Sequence, residues 1–436
     1  MEKKGEVLSL KMQLQTKTTP QVNVKTFTWS ILSKISKKNK WYKDFFVHIV
    51  WLYLSLPSRY TFLNMHRYGG KAESTYRSHF GKSHDMSLFN QHLIQHYLSD
   101  EIIWAFDPSY ISKSGRCTNG VGYFWSGLAQ KMKWGMEIAH LSAVDIANQT
   151  ALHYKAQQSK PNLKGETQLE FYANCIVSEK QALQGISNVC VQDAFFSKKP
   201  FVEILTKEAF EVISRFRTDV YLRYFYCGPQ KGSKGKNIGK GKGSGGGRPK
   251  IYDGKVDIMN LNPQYFTACY QDEDEIAYEA IVHSRALGRA VKVVVKHKLN
   301  EDGSIKKAFV YFSSNLNRMG MDIILYYHLR FQQEFLFRDA KQFIGLQQCQ
   351  ARSEKKLDFH FNMSLTTLNV AKVIHHIKEE KQNQPFSMAD IKTQYVNELL
   401  LDEAFDIFIE VSGIDPKLIK NNPKVLKLYN KGKIAA

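Results

Sequence analysis

The spacing of apolar and polar positions divides the chain into segments of different secondary structure. Residues 26–95 have the periodicity of helices. From residue 101 the pattern changes to short apolar runs between polar or glycine-bearing turns, which is typical of strands. The predicted strands are EIIWAFD (101–107), GVGYFWSG (120–127), WGMEIAHLSAVDIA (134–147) and ISNVCVQD (186–193), with amphipathic helices at 166–184 and 199–210. Strands followed by helices in this way predict an α/β fold with a sheet core.

The second half of the chain is predicted to be β-rich and then helical. From about 218 to 314 the strand-like runs are DVYLRYFY, KVDIMNL, YFTACY, AVKVVVKHKL and KAFVYFSS. Helical periodicity follows residue 320. Between the first two of these strands lies KGSKGKNIGKGKGSGGGRPK, which is too rich in Gly and Lys to pack. It lacks the GxxxxGK[ST] pattern of a P-loop. We therefore predict a flexible cationic loop at 230–250.

One predicted helix has an unusual distribution of charge. In YYHLRFQQEFLFRDAK (326–341), five polar residues fall within about 80° of each other at 100° per residue. They are Tyr327, Arg330, Glu334, Arg338 and Lys341. A solvated face with i,i+4 pairs such as Arg330–Glu334 explains many stripes of this kind. The alternative is that the stripe faces a charged ligand.

Two acids follow predicted strands in the same way. Asp107 ends EIIWAFD and Asp193 ends VCVQD, and each is followed by a predicted turn. A single acid at such a place is often the cap of the next turn. Two acids placed alike, with Glu334 on a helix that could pack on the same sheet, also fit a cation site, because converging carboxylates repel one another without one. Hard oxygen ligands point to Mg²⁺ or Mn²⁺.

Composition and charge favour a folded protein that binds a polyanion. The chain has 43% hydrophobic residues and a net charge of +20. Residues 1–43 carry ten Lys and two Glu, residues 230–250 carry seven basic and no acidic residues, and residues 413–436 carry six Lys and one Asp. Any one such segment serves equally well as a solubilising tail, but three together favour nucleic acid.

Other classes of protein are less compatible with the sequence. The longest apolar run, FFVHIVWLYLSL (45–56), is shorter than the roughly 18 residues of a membrane span, and the N-terminus lacks signal-peptide features. Six scattered cysteines without CxxC spacing indicate a reducing compartment and no structural zinc.

The N-terminal region contains a possible DNA-reading motif. A helical pattern is followed by Gly69-Gly70 and a short basic helix at 71–80. This order is compatible with a helix-turn-helix that offers Lys71, Thr75, Tyr76 and Arg77 to DNA. An ordinary helical hairpin fits the same pattern.

The spacing Tyr327-x2-Arg330-x3-Glu334-x6-Lys341 resembles the Tyr-Arg-Glu-Lys signature of the insertion-sequence 4 family of DDE transposases. The segments DPSYISKSGRCTNGVGYFWSG and VCVQDAFFSKKPF are similar to the first-Asp and second-Asp regions of that family. The resemblance covers about 101–200 and 315–360 well, and it barely reaches 1–95 and the last 55 residues.

The resemblance implies a transposase that performs cut-and-paste DNA transposition. It implies Asp107, Asp193 and Glu334 as catalytic ligands of two Mg²⁺ or Mn²⁺ ions, which would promote phosphodiester hydrolysis and strand transfer. DNA contacts are implied for Tyr327, Arg330, Arg338 and Lys341. The partners would be terminal inverted repeats and target DNA, bound by a homodimer, in the cytoplasm of a prokaryote at its nucleoid, with no membrane involved.

The resemblance further implies a ribonuclease-H-like (retroviral-integrase-like) core interrupted by a β-rich insertion. The predicted regions are a helical DNA-binding region (1–95), the first part of the core (96–217), the insertion with its loop (218–314), the last part of the core (315–380) and a helical C-terminal region with a basic tail (381–436). The family places an aromatic residue of the insertion against a flipped base, for which Tyr265, Phe266 and Tyr270 are candidates. Glu137 and Asp145 are reserve acids.

Two alternatives remain open from the sequence. A metal-dependent nuclease on the same fold would share the three acids. A catalytically silent DNA-binding regulator would share the basic segments and need no acids.

Overall fold

The computed structural model describes residues 23–163, 165–228, 249–379, 385–412 and 422–434. The chain divides into two compact units. Unit 1 comprises Met1–Ile102, Phe106–Lys164 and Gln332–Ala436, and unit 2 comprises Ile103–Ala105 and Gly165–Phe331. Apart from Pro249 and Lys250, the predicted Gly/Lys loop lies outside the described residues, as do residues 1–22 and 413–421.

The described residues form a mixed α/β structure. The helices are α1 (Val24–Ile35), α2 (Lys40–Ser55), α3 (Phe62–Gly69), α4 (Glu73–His79), α5 (Met86–Tyr97), α6 (Gln168–Val177), α7 (Lys180–Gln184), α8 (Lys199–Lys207), α9 (Gly320–Leu329), α10 (Gln332–Phe343), α11 (Glu354–Glu379), α12 (Met388–Ser412) and α13 (Pro423–Tyr429). The helices predicted within 26–95 are therefore confirmed. No described helix is long and apolar enough to cross a membrane.

Twelve strands lie within the part of the chain that the structure describes. They are β1 (Ile102–Ser112), β2 (Gly122–Ser126), β3 (Lys131–Asp145), β4 (Thr150–Gln158), β5 (Val189–Val191), β6 (Glu211–Phe216), β7 (Leu222–Phe225), β8 (Tyr252–Lys255), β9 (Thr267–Gln271), β10 (Glu275–Ser284), β11 (Arg289–Leu299) and β12 (Ile305–Ser313). Strand β1 contributes residues 103–105 to unit 2 and 106–112 to unit 1.

Unit 1 joins its strands to its helices through buried amide side chains. Strand β3 pairs antiparallel with β2 and β4. Helix α11 packs against β4, where Asn362 Oδ1 accepts from Ala156 N at 2.9 Å and Asn369 Oδ1 accepts from His153 N at 2.7 Å. The two asparagines are seven residues apart and therefore lie on one face of the helix. They satisfy backbone groups that an open strand edge would leave unpaired.

Unit 2 begins with parallel strands and continues as an antiparallel meander. Trp104 of β1 pairs with Cys190 of β5, and β5 pairs in parallel with β6. Strand β12 is antiparallel to β6, and the order then continues through β11, β10, β7 and β8, with β9 beside β10. Helix α8 connects β5 to β6, as expected for a parallel connection.

Three strands were absent from the sequence prediction, namely β4, β6 and β10, and the predicted strand KVDIMNL (255–261) shares only Lys255 with β8. Strand β10 contains Glu275 and Glu279, which lower strand propensity. Across the ladder these acids meet Lys296 and Lys292 of β11, with N–O distances of 2.9 and 2.8 Å. The acidic positions are therefore paired within the sheet, which residue propensity alone does not indicate.

Candidate active site

Asp107 lies inside a strand, and not at the end of one as predicted. Strand β1 continues for five residues beyond it to Ser112, and Ser109 and Ile111 are buried along the way. This alternation continues the strand, although Pro108 and Ser109 are residues typical of turns. Tyr110 donates its hydroxyl to Trp134 O of β3 at 2.6 Å. Asp107 and Ser109 are two residues apart and so share one face of β1.

The predicted single helix across 326–341 is also wrong. Helix α9 ends at Leu329, with Arg330 as its C-cap, and α10 begins at Gln332. Phe331 N bonds to His328 O at 3.1 Å, an i→i−3 contact that tightens the last turn. Tyr327 and Arg330 thus belong to unit 2, whereas Glu334, Arg338 and Lys341 belong to unit 1. The stripe of five residues is divided between two helices.

Within unit 1, Lys341 connects α10 to β1. Its Nζ donates to Ser109 Oγ at 2.8 Å. Burial lowers the pKa of Lys341, and the charge of Asp107 opposes that effect. Glu334 is seven residues earlier on α10 and lies on the same face of the helix. Unit 1 therefore places a half-buried ammonium in the field of the first predicted acid.

Helix α10 is held in unit 1 by a buried polar network that the sequence prediction missed. Gln333 Nε2 donates to both the carbonyl oxygen and Nδ1 of His140, each at 2.9 Å. His140 Nε2 lies 2.9 Å from His153 Nδ1 on β4. Burial lowers the pKa of His140 to about 3. The residue next to Glu334 is thus anchored to two strands through neutral imidazoles.

Asp193 lies in unit 2 and caps a short helix. Its carboxylate accepts from Phe195 N at 2.9 Å and caps the 3-10 turn Ala194–Phe196. Burial raises the pKa of Asp193, while the Arg330 and Arg215 charges act against that rise. The cap that the sequence left open as an alternative is present. The same carboxylate also lies in the field of two guanidinium groups.

Arg215 was not among the predicted residues, and a prediction of strand β6 would have been needed to find it. Strands β5 and β6 are parallel, with Val191 paired with Ile213, and Arg215 and Asp193 each come two residues later. The rule that functional groups gather at the ends of neighbouring parallel strands therefore applies to Arg215 as well. Tyr327 packs beside it, with its ring 5.9 Å from the Arg215 guanidinium and 5.8 Å from that of Arg330.

Arg338 is the most exposed of the predicted DNA contacts on α10. Its side chain is 54% exposed and lies 3.0 Å from Asp339. The guanidinium also lies 4.7 Å from the Phe335 ring. Both partners are on the same helix, so Arg338 is accessible from solvent while its orientation is fixed locally.

The chemistry of the three carboxylates fits Mg²⁺ or Mn²⁺, which prefer hard oxygen ligands. Among the described residues, however, no group of three or more His, Cys, Asp or Glu could hold a metal ion. Two of the predicted ligands have cationic side chains nearby, namely Lys341 for Asp107 and Arg330 for Asp193. The metal ligands therefore stay a prediction.

The reserve acids have different surroundings. Asp145 is fully buried and accepts four hydrogen bonds, two from Ser99 and two from Asn148. Burial acts to raise the pKa of Asp145, but these hydrogen bonds outweigh it and the pKa is lowered. Asp145 therefore organises the turn after β3. Glu137 is 6% exposed, also on β3.

Two of the predicted nucleic-acid contacts, Tyr76 and Phe266, are buried, and others have partners within the protein. Tyr76 of α4 is buried and its hydroxyl lies 2.8 Å from His48 Nε2, so it packs in the helical core. Arg77 pairs with Glu73 of the same helix. Of the aromatic residues in the insertion, Phe266 is 5% exposed, and Tyr265 stacks on Tyr224 and bonds to Asp253.

The chain has a distant likeness to solved protein structures. No protein-family model and no curated protein matches the chain. Seven solved chains match, and one belongs to a cryo-EM structure of the piggyBac transposase synaptic complex with hairpin DNA. It is 10% identical, with a TM-score of 0.44, and the match covers 94% of this chain and 86% of that chain. A likeness at this identity and TM-score does not establish a function.

Proposed function

We propose that this chain is a DDE transposase that cuts and joins DNA by metal-assisted phosphodiester chemistry. One observation carries the proposal: each cation of the Tyr-Arg-Glu-Lys signature acts on one of the two strand acids. Lys341 is in the field of Asp107 within unit 1, and Arg330 is in the field of Asp193 within unit 2. The spacing of the signature does not require either pairing.

The proposed roles follow from the charges. Asp107, Asp193 and Glu334 act together as oxygen ligands of Mg²⁺ or Mn²⁺, which, when bound, activates water and stabilises the leaving oxygen. Arg330 and Lys341 bind the phosphates beside the cut, since guanidinium and ammonium groups bind phosphate oxygens strongly. Tyr327 packs against the two arginines that face Asp193 and positions them.

The proposed substrate is duplex DNA with terminal inverted repeats, bound by a homodimer. Water first nicks at the transposon end, and the freed 3′-OH then attacks a second phosphodiester. The fold would be ribonuclease-H-like, with β7 to β12 contributing the β-rich insertion. The strand order outward from β1 through β5 and β6, followed by an antiparallel meander, supports a core interrupted in this place.

The test uses Asp107→Asn, Asp193→Asn and Glu334→Gln, which keep shape and remove charge. With Mg²⁺ or Mn²⁺, each substitution should abolish nicking and strand transfer on DNA that carries the native ends. Each single substitution should reduce activity nearly as much as all three together. Asp219→Asn is the matched control, because Asp219 is exposed on the surface. A chelator should stop the wild-type reaction.

Stability measurements show whether a loss of activity reflects misfolding. Burial raises the pKa of Asp193, so the folded state binds more protons than the unfolded state above the ordinary pKa of the carboxyl. The charged carboxylate therefore lowers stability as pH rises through that window. At neutral pH Asp193→Asn should unfold at the wild-type temperature or higher while losing activity.

The outcomes separate the alternatives. Wild-type protein that binds the ends without cutting them supports a silent regulator. Cutting without end preference or strand transfer supports a nuclease. Full activity in any one of the three variants would show that the acid has been misassigned.

A further inference from the structure

A cationic groove lies in unit 1, away from the predicted carboxylates. It has a volume of about 660 Å³ and is lined by Arg59, Lys113, Arg116 and Arg352 together with Ser, Thr and Gln side chains. No Asp or Glu belongs to its lining among the described residues. The nearest acid in sequence is Glu354, which starts α11 outside the lining. Four positive charges without a carboxylate between them favour a bound polyanion.

The two walls of the groove continue the elements that carry Asp107 and Glu334. One wall, residues 112–118, follows directly from the end of β1. The other, residues 347–352, follows α10 by four residues. The bond between Lys341 and Ser109 already ties these two elements together upstream. The groove is therefore built by the same strand and helix as the acids of unit 1.

The walls are fixed to each other by hydrogen bonds. Lys113 Nζ donates to the carbonyl oxygens of Cys349 and of Ala351, the latter at 3.1 Å. Asn119 N donates to Arg352 O at 2.9 Å. Burial lowers the pKa of Lys113, and the Arg352 charge lowers it further. Because Lys113 donates to neutral carbonyl oxygens and not to an acid, its positive charge is not cancelled and adds to the field of the three arginines.

The distance from Asp107 suits a duplex. Ser112 is five residues beyond Asp107 on one strand, so the mouth of the groove lies about 16 Å along β1. At 3.4 Å per base pair this corresponds to roughly five base pairs. Arg59, Arg116 and Arg352 are exposed and have the planar donors that bind phosphate oxygens in pairs.

We propose that this groove binds the phosphate backbone of duplex DNA about five base pairs from Asp107. The inference takes from the proposed function that the polyanion is DNA and that Asp107 lies at the cut. The contacts are to phosphate, so they carry no sequence information and set the position of the duplex. Substitution of the groove residues should therefore weaken binding to all DNA sequences by the same factor.

The test measures binding of a labelled duplex of arbitrary sequence in the presence of a chelator, so that no cutting is needed. The double variant Arg116→Ala/Arg352→Ala removes two exposed charges from the groove. The slope of log affinity against log salt should fall by about 1.8, or 0.9 for each lost phosphate contact. The control Lys298→Ala/Lys306→Ala removes two exposed charges from unit 2 and should leave the slope unchanged.

A second measurement does not depend on the variants. Cys117 is exposed and lines the groove, so bound duplex should slow its reaction with a bulky maleimide. Equal slopes for the two double variants, or a Cys117 rate unaffected by saturating DNA, would overturn the groove assignment even if the protein cuts DNA. Protein that shows both effects but never cuts would keep the groove and refute the transposase. Wild-type protein that binds no DNA would refute both.

Discussion

Lys341 combines a structural bond with a charge suited to phosphate. Its Nζ donates to Ser109 Oγ, and its field reaches Asp107. A structural role of Lys341 requires both its ammonium group and the Ser109 hydroxyl. A DNA-binding role requires the ammonium group and does not require the hydroxyl.

Lys341→Ala is expected to weaken binding to a cut transposon end by about tenfold or more, because a charge-assisted hydrogen bond contributes roughly 1.5–3 kcal/mol. Ser109→Ala removes the same internal bond and leaves the cation, so its affinity should stay within about twofold of wild type. The measurement is fluorescence anisotropy with labelled ends, alongside thermal unfolding. Equal losses of DNA affinity in the two variants would show that the hydrogen bond between Lys341 and Ser109 has a structural role only.

At the scale of residues, sequence reasoning located charges better than it located their surroundings. The offsets of the signature placed Arg330 and Lys341 among the candidates, and the structure shows an acid near each. Arg215 was missed because the strand that carries it, β6, was not predicted. Tyr76 was misjudged because a tyrosine beside basic residues has the same pattern whether its ring faces DNA or the core.

At the scale of elements, helix α9 depends on an acid from a strand. Gly320 N, at the start of α9, donates to Glu279 Oε2 of β10 at 2.8 Å. A Cβ on Gly320 would lie 2.5 Å from that same oxygen, so a larger residue would displace the Glu279 carboxylate from this position. Glu279 also pairs with Lys292 at 2.8 Å. One carboxylate thus serves both the sheet and the end of the helix that carries Tyr327.

Glu279→Ala should lower the free energy of unfolding by about 1–2 kcal/mol, because it removes the cap of α9 and leaves Lys292 without that acid. Glu279→Gln keeps an oxygen that can accept from Gly320 N, so its free energy of unfolding should fall by less. Chemical denaturation of both variants measures the difference, with the exposed Glu273→Ala as a control. A loss in Glu273→Ala as large as that in Glu279→Ala would contradict the capping role.

Element boundaries were harder to predict than element types. The helix over 326–341 was predicted from periodicity, but periodicity continues smoothly through Arg330, whose backbone stays helical (φ −49°, ψ −30°). The break arises from the hydrogen bond between Phe331 and His328, which the residue pattern does not reveal. Strand β1 shows the opposite error, because Pro108 and Ser109 are typical of turns although the strand continues.

At the scale of the whole molecule, the predicted Gly/Lys loop at 230–250 carries seven basic and no acidic residues. The described residues on either side of it lie close together. Strands β7 and β8 pair antiparallel, with Phe225 opposite Tyr252, and Tyr226 N bonds to Ile251 O at 2.9 Å. The described residues that flank the loop therefore lie at adjacent points of unit 2.

Deletion of residues 231–247 should leave the thermal stability of unit 2 nearly unchanged, since loop closure depends only weakly on length. Five lysines are lost, so the salt slope of DNA binding should fall by at most about 4.5. A variant with the same length but Ser in place of those lysines separates charge from length. An unchanged slope in the deletion variant would remove the tethering role.

The buried pair of His140 and His153 has a consequence for how the whole protein responds to acidity. Histidine is the side chain that usually changes charge between pH 5 and 8. Here burial keeps the pKa of His140 near 3 and holds that of His153 well below its ordinary value. The two histidines that hold Gln333, the residue next to Glu334, therefore carry no charge across the neutral range. An inflection near pH 6 in a rate profile would therefore have to arise from groups other than this pair of histidines.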